Sequence, residues 1–250
     1  MGFVGERLGG LPTSAVHIQY SPEEGEGSMS YDWTGLISLF SLLLQGTKIA
    51  LEVFFLTLIF SLPIGLLTAL GRMYGNKPIS GLMKLYILLM RGTPLILQLS
   101  FVYFAPYYML PEGLKLNFDR FTAAIVACTL NYGAYFAEIF RGGIESIPQG
   151  QYEAAAVLGF SKRQTFTRII LPQVFKRILP PVGNEIITLV KDTALVSTLG
   201  IAELFRLATG EASRTVSTLP FIGAGMIYLF WNWIVTEVLQ KAEKKLSYYR

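Results

Sequence analysis

Apolar runs separated by short polar links account for most of the chain from Trp33 onward. Trp33, Leu36, Ile37, Phe40 and Leu44 fall on one helical face, with Ser38, Ser41 and Gln45 elsewhere. The fifteen uncharged residues Trp33–Thr47 are short for a membrane span, so the pattern predicts an amphipathic helix lying along the interface over 33–47. Val53–Leu70, eighteen residues without a charge, is the first predicted span. Pro63 lies inside it, and Lys48 and Glu52 precede it at i,i+4. After a polar link at Arg72–Lys84 comes a second span over Leu85–Pro106. It is interrupted by Arg91-Gly92-Thr93-Pro94, where Pro94 removes a backbone donor. The third run, Phe121–Ala137, leads into Glu138 and Arg141, spaced for an i,i+3 pair. The fourth, Ile178–Ala202, is broken only by Glu185, Lys191 and Asp192; the fifth is Thr215–Thr236. The expected architecture is all-α and integral to a membrane, with five transmembrane helices. A Gly-, Pro- and Glu-rich mobile tail at 1–32 precedes the 33–47 helix, and one transmembrane domain occupies 48–250.

The longest polar interruption, residues 149–172, has a grammar of its own. Glu153–Leu158 favours helix, and Gly159 suits a helix C-terminal stop. Ser161 offers an N-cap, and Gln164 three residues on completes a capping box. Lys162, Arg163 and Arg168 mark the second short helix as facing the charged side of a membrane, and Pro172 is expected to end it.

Composition supports a lipid environment. Residues are 52% hydrophobic and 15% charged, where a soluble domain carries about 25% charged residues. The net charge of +4 does not point to nucleic acid, because the basic residues lie between apolar runs. Alternate connections hold thirteen Lys and Arg against six on the other side, which predicts the N-terminus outside and the C-terminus in the cytoplasm. Cys128 is the single cysteine and lies in an apolar run, which leaves no disulfide framework and no cysteine metal site. His17 is the single histidine and stands in the polar tail without partners for acid–base or metal chemistry. No nucleotide-binding G-x-x-x-x-G-K-[ST] occurs, and residues 1–30 carry no cleavable-signal pattern.

Candidate chemistry is sparse. Lys191 and Asp192 stand near residue 190, the midpoint of the fourth run, where each charge costs about 2.5–3.5 kcal/mol. Lys191 can meet a carboxylate and Asp192 an ammonium, the two charged groups of a free amino acid. The alternative is that the helix ends early and the pair marks its tip. Thr93 and Gln98, at the break in the second run, offer neutral hydrogen bonds to a polar solute. Asn131 reads either as a solute contact or as an interhelical hydrogen bond. Tyr103, Phe104, Tyr107 and Tyr108 fit an outer-interface aromatic belt.

Four motifs in order carry a resemblance: Arg91-Gly92-Thr93-Pro94; Ala137-Glu138-Ile139-Phe140-Arg141-Gly142-Gly143; Glu153-Ala154-Ala155 with Gly159 and Ile170-Leu171-Pro172; and Lys191-Asp192-Thr193. Over residues 45–245 the chain resembles permeases of the polar amino-acid uptake family of ABC transporters. The resemblance implies a type I importer fold with cytoplasmic coupling helices, set in a bacterial inner membrane. It also implies a second permease subunit, a cytoplasmic ATPase dimer carrying ATP and Mg, and an extracytoplasmic substrate-binding protein. No cofactor is then expected on this chain. Glu153, Ala154, Ala155 and Gly159 would form the EAA loop that docks in the ATPase, and the regions of Thr93 and of Lys191 and Asp192 would line the substrate path. The alternative is an ion-coupled secondary transporter of a small polar solute, with Glu52, Glu138 or Glu185 as proton sites. An integral-membrane enzyme lacks a defensible nucleophile–base or metal constellation.

Overall fold

The computed structural model describes residues 32–109, 111 and 118–246. The tail expected over 1–32, with His17, lies outside the described residues except for Asp32. The Asp32 carboxylate accepts the Gly35 amide at 2.6 Å and so caps the first helix. That helix, α1, runs Trp33–Tyr74 without a break, Pro63 included. At 1.5 Å per residue its length is about 63 Å, roughly twice the ~30 Å hydrocarbon core of a bilayer. The stretch 33–47 is therefore the first part of the same rod as the first predicted span, not a separate element. Its apolar positions Trp33, Ile37, Phe40 and Leu44 face outward, while Leu39 and Leu43 are buried against Leu204, Ala208 and Ala224. Lys48 and Glu52 form the expected pair at 3.9 Å.

The second predicted span is two helices. α2 (Lys77–Gly92) starts at an Asn76 cap, and α3 covers Leu95–Tyr108; they meet at 113°. α4 (Arg120–Glu145) contains the third run and packs more extensively against α1 than any other pair of elements in the fold. Small residues allow that approach: a Cβ on Gly65 would sit 2.7 Å from the Phe136 Cβ and 3.0 Å from the Gly133 carbonyl oxygen. α5 (Gln149–Val157) and α6 (Lys162–Gln164) form the polar hairpin.

Pro172 does not end the helix that follows. A π-helical segment, Thr165–Ile170, joins α6 to α7 (Leu171–Asp192), so helical backbone runs from Lys162 to Asp192. Pro172 falls in the first turn of α7, where a missing amide is tolerated. The Leu171 amide reaches back to the Phe166 carbonyl, a wider turn that accommodates the proline ring.

The fourth predicted run is likewise not one span. α7 stops at Asp192, a 3-10 segment covers Thr193–Leu199, and Gly200 turns the chain with φ 82°. A further helix, α8 (Leu204–Thr215), lies before α9 (Leu219–Leu246), so the fifth predicted run starts four residues too early: Thr215 ends α8 and only Leu219–Thr236 of the run lies in α9. The Glu203 carboxylate is fully buried and caps α8, accepting the Phe205 and Arg206 amides at 2.7 Å and the Tyr228 hydroxyl of α9 at 3.1 Å. Among the described residues, α1, α4 and α9 are long and apolar enough to cross a membrane, and the bent α2–α3 pair would make a fourth. α7, with Lys176, Arg177 and Glu185 along it, does not meet that standard. The architecture is all-helical among the described residues, around a core of Val53, Phe54, Leu99, Ala124, Tyr132, Phe136 and Leu189.

Candidate functional site

Pro94 has no amide, so the Met90 carbonyl at the end of α2 loses its helical donor. Two buried side chains replace it. Gln98 (8% exposed) donates to Met90 O at 2.9 Å, and Asn131 (5% exposed) donates to the same oxygen at 3.1 Å. Gln98 Nε2 also lies 3.1 Å from Thr93 O and 2.8 Å from Thr93 Oγ1, while Asn131 Nδ2 donates to Gln98 Oε1 at 2.9 Å. Thr93 in turn donates its hydroxyl to Leu89 O at 2.8 Å. Three of the predicted site residues are thus brought together, and they hold the elbow between α2 and α3 onto α4. Of the two readings open for Asn131, the interhelical hydrogen bond is the one present in this arrangement.

Lys191 and Asp192 are separated by their directions. Asp192, half-buried at the C-terminus of α7, accepts the Tyr132 hydroxyl at 2.8 Å, whereas Lys191 is exposed. The pair therefore stands at a helix end rather than in mid-span. Because Asn131 and Tyr132 are consecutive on α4, the elbow cluster and Asp192 meet the same short stretch of that helix.

Glu185 is half-buried and, among the described residues, has neither a hydrogen bond nor an ion pair. It lies within electrostatic reach of Arg91 and Asp192. Two turns before Asp192, it falls on the same side of α7. Its charge is legible in the sequence, whereas its lack of a partner among the described residues is a matter of packing.

The i,i+3 pair Glu138–Arg141 is present, with Arg141 Nη2 at 2.6 Å. It is part of a larger cluster. Arg72 at the end of α1 also bonds Glu138, Arg91 approaches it at 3.9 Å, and Arg141 bonds Glu145 as well. One carboxylate therefore joins the ends of α1 and α2 to α4. Arg72 stands 66 residues from Glu138, a separation at which sequence spacing carries no signal.

The hairpin is built as its residues predict. The Gly159 amide bonds Ala156 O, the Phe160 amide bonds Ala155 O, each at 3.0 Å, and Gly159 takes φ 78°. This is the left-handed stop that satisfies the last carbonyls of α5. Ser161 and Gln164 form both halves of the capping box. Ala155 is buried, but Glu153, Ala154 and Gly159 are exposed, and Val157 and Leu158 expose 88% and 74% of their surfaces. The base is anchored: Tyr152, Phe166 and Ile169 pack on Ile144, Ile147, Ile170 and Val174, and Gln173 reaches Gln151 at 3.3 Å. Burial, and secondarily Tyr74, raise the Tyr152 phenol above its usual range, so it packs as a neutral ring. The result is an anchored projection whose tip has apolar side chains that no described residue covers.

The chain resembles known proteins over most of its length. Residues 61–247 match the family described as binding-protein-dependent transport system inner membrane component. The arginine transport system permease protein ArtQ of Bacillus subtilis (strain 168) is 37% identical over 88% of this chain and 99% of its own. The glutamine transport system permease protein GlnP of Escherichia coli (strain K12) is 36% identical with the same coverage. The L-cystine transport system permease protein TcyB of Bacillus subtilis (strain 168) is 36% identical over 85% of this chain and 89% of its own. Among solved structures, an amino acid ABC transporter crystallised with histidines superposes with a TM-score of 0.77 and 34% identity, covering 87% of this chain and 100% of that one. The inward-facing MetNI methionine ABC transporter, 16% identical with a TM-score of 0.64, shares the fold. With a family match across most of its helices and relatives above one-third identity over nearly their whole length, the chain belongs to the binding-protein-dependent transport system inner membrane components and is a permease subunit rather than an enzyme.

Proposed function

We propose that this permease subunit moves a polar amino acid from an extracytoplasmic binding protein into the cytoplasm by alternating access, driven by a separate ATPase. The observation that carries the reading is the hairpin of α5 and α6, a doubly capped, anchored projection with an exposed tip. A surface of this kind suits transmission of force, because its backbone bonds are closed internally and its tip is free for a partner. Glu153, Ala154 and Gly159 form the contact with a cytoplasmic ATPase dimer, which carries ATP and Mg, while Ala155, buried beneath them, seats that surface on the hairpin's base. From the hairpin, helical backbone leads over about 45 Å to Asp192, so a push at the base reaches the polar centre without a flexible joint.

At that centre Asp192, with Glu185 on the same side of α7, meets the ammonium group of the solute, and Lys191 meets its carboxylate at the end of the path. Thr93, Gln98 and Asn131 shape the neighbouring elbow and offer hydrogen bonds as it moves. The arginine, glutamine and cystine systems in which relatives are named support a polar amino acid as cargo. The basic-residue imbalance supports an N-terminus outside and a C-terminus in the cytoplasm. A second permease, identical or related, completes the pathway, and the fifth crossing is made by α7 shielded within that assembly. The turns over 33–47 lie at the outer interface. An ion-coupled carrier is not favoured, since relatives and structural neighbours are subunits of ABC systems. The test is uptake of labelled amino acids into proteoliposomes holding this chain, its ATPase and its binding protein. Accumulation that requires internal or external ATP, and survives collapse of ion gradients, is expected; uptake driven by a proton or sodium gradient alone would overturn the reading.

A further inference from the structure

α4 begins at Arg120 and ends next to the hairpin, so Arg120 marks the far end of the bundle. Its side chain is exposed and, among the described residues, has no hydrogen bond and no ion pair. Two further arginines beyond the Gly200 turn are engaged: Arg206 donates to Ser197 O at 3.3 Å, and Arg214 meets Glu211 at 2.6 Å. Asp119, one residue before Arg120, turns its carboxylate to Thr122 instead. One oxygen accepts the Thr122 amide at 2.9 Å and the other its hydroxyl.

The place of the free guanidinium is set from the other side. A Cβ on Gly200 would lie 2.8 Å from Arg120 Nη1, so the cation rests on the turn that ends the 3-10 segment. Gly200 also holds φ 82°, and both conditions suit glycine. Beside Arg120 opens a cleft of about 600 Å³, walled by Tyr103 of α3, by Phe118, Asp119 and Phe121 at the start of α4, and by Ile201. That volume is ordinary for a small-molecule site. The lining suits one chemistry. The guanidinium attracts a carboxylate, whereas the adjacent Asp119 charge opposes a plain anion and attracts a cation. The aromatic rings offer faces to an ammonium. A small molecule carrying both charges satisfies the whole wall.

We propose that this cleft is an outer binding site for the zwitterionic head of a free α-amino acid, with Arg120 on the carboxylate and with Asp119 and the aromatic rings towards the ammonium. The site rests on the importer reading and deepens it. Seven residues of 3-10 helix separate Gly200 from Asp192, about 14 Å at ~2.0 Å per residue. The cleft is thus a stage ahead of Asp192: the solute leaves its receptor, is held by its head group, and passes along the segment. Because Arg120 and Asp119 meet only the head group, selection among side chains stays with the receptor.

The cleft is tested first on the wild-type complex of permease and ATPase in nanodiscs, without receptor or nucleotide. The complex is treated with phenylglyoxal, and modification of each arginine is read by peptide mass spectrometry. With L-glutamine present, labelling of Arg120 is expected to fall about threefold, the protection given by a ligand at about twice its Kd, while labelling of Arg214 is unchanged. γ-Aminobutyramide, which lacks the carboxylate, and acetate, which lacks the ammonium, are expected to protect far less. No protection by glutamine, or protection by either analogue equal to it, would overturn the site. Reconstituted variants then separate solute binding from receptor docking. Arg120→Gln is expected to lower ATP-driven uptake roughly tenfold at saturating loaded receptor, with receptor affinity unchanged, and Arg120→Lys to recover part of the loss. A weakened receptor affinity, with uptake restored by excess receptor, would make Arg120 a protein contact and overturn the proposal. Absence of ATP-driven uptake in the wild type would defeat the importer reading, whereas the protection experiment, which uses neither ATP nor receptor, decides the cleft on its own.

Discussion

The amide of Asn131 on α4 donates to the Gln98 side-chain oxygen on α3 at 2.9 Å, and both side chains also reach the Met90 carbonyl that Pro94 leaves without a donor. A break in a helix within a membrane is stable only where something replaces the missing backbone bonds. Here two amides do so from different helices, which converts a proline break into a fixed elbow. Replacing Asn131 with Ala removes one donor and leaves Gln98 Oε1 buried without its partner. A loss of about 1–3 kcal/mol is expected, read as a lower melting temperature in detergent or nanodiscs. Gln98→Ala removes bonds from the same network, and the double variant is expected to fall short of the sum of the singles.

Asp192 provides a sharper separation of folding from transport. An Asn in its place still offers the Tyr132 hydroxyl an acceptor but carries no charge. Asp192→Asn is therefore expected to reach normal membrane abundance while uptake falls by roughly tenfold, the effect of about 1.4 kcal/mol. Abundance and uptake falling together would mean that the carboxylate serves the fold alone.

The contact of α1 with α4 yields a stability prediction. A methyl on Gly65 would meet the Phe136 Cβ and a backbone oxygen, neither of which can swing aside. Gly65→Ala is expected to cost about 1–3 kcal/mol, as overpacking does. Gly142, further along α4, has open space around it. Gly142→Ala is expected to be neutral or to gain about 0.5–1 kcal/mol from helix propensity. Thermal unfolding of the two variants side by side checks both.

What could be read from the sequence was chiefly local. Ser161, Gln164 and Gly159 act within a few residues of themselves, and the hairpin forms as their chemistry requires. The break at Arg91-Gly92-Thr93-Pro94 is also local, since Pro94 lacks an amide whatever surrounds it. Its angle is not, because that depends on Gln98 and Asn131 meeting across two helices. The run Ile178–Ala202 misled for a different reason: hydropathy does not distinguish α-helix from the 3-10 segment after Asp192, nor does it register the turn at Gly200. Proline chemistry predicts a stop at Pro172, yet the π-helical turn before it absorbs the ring. The partners of Glu138 and the isolation of Glu185 are long-range relations, set by how α1, α2, α4 and α7 pack.

The central claim is that work done by an ATPase enters through the hairpin, and the ratio of solute moved to ATP hydrolysed tests it most directly. Gly159 holds φ 78°, and an Ala there is strained by about 1 kcal/mol, while Glu153→Ala alters the exposed face without touching the core. Reconstituted complexes carrying either substitution are expected to hydrolyse ATP and to bind the solute-loaded receptor, yet to move far less solute per ATP than the wild type. An unchanged ratio in both variants would contradict the account.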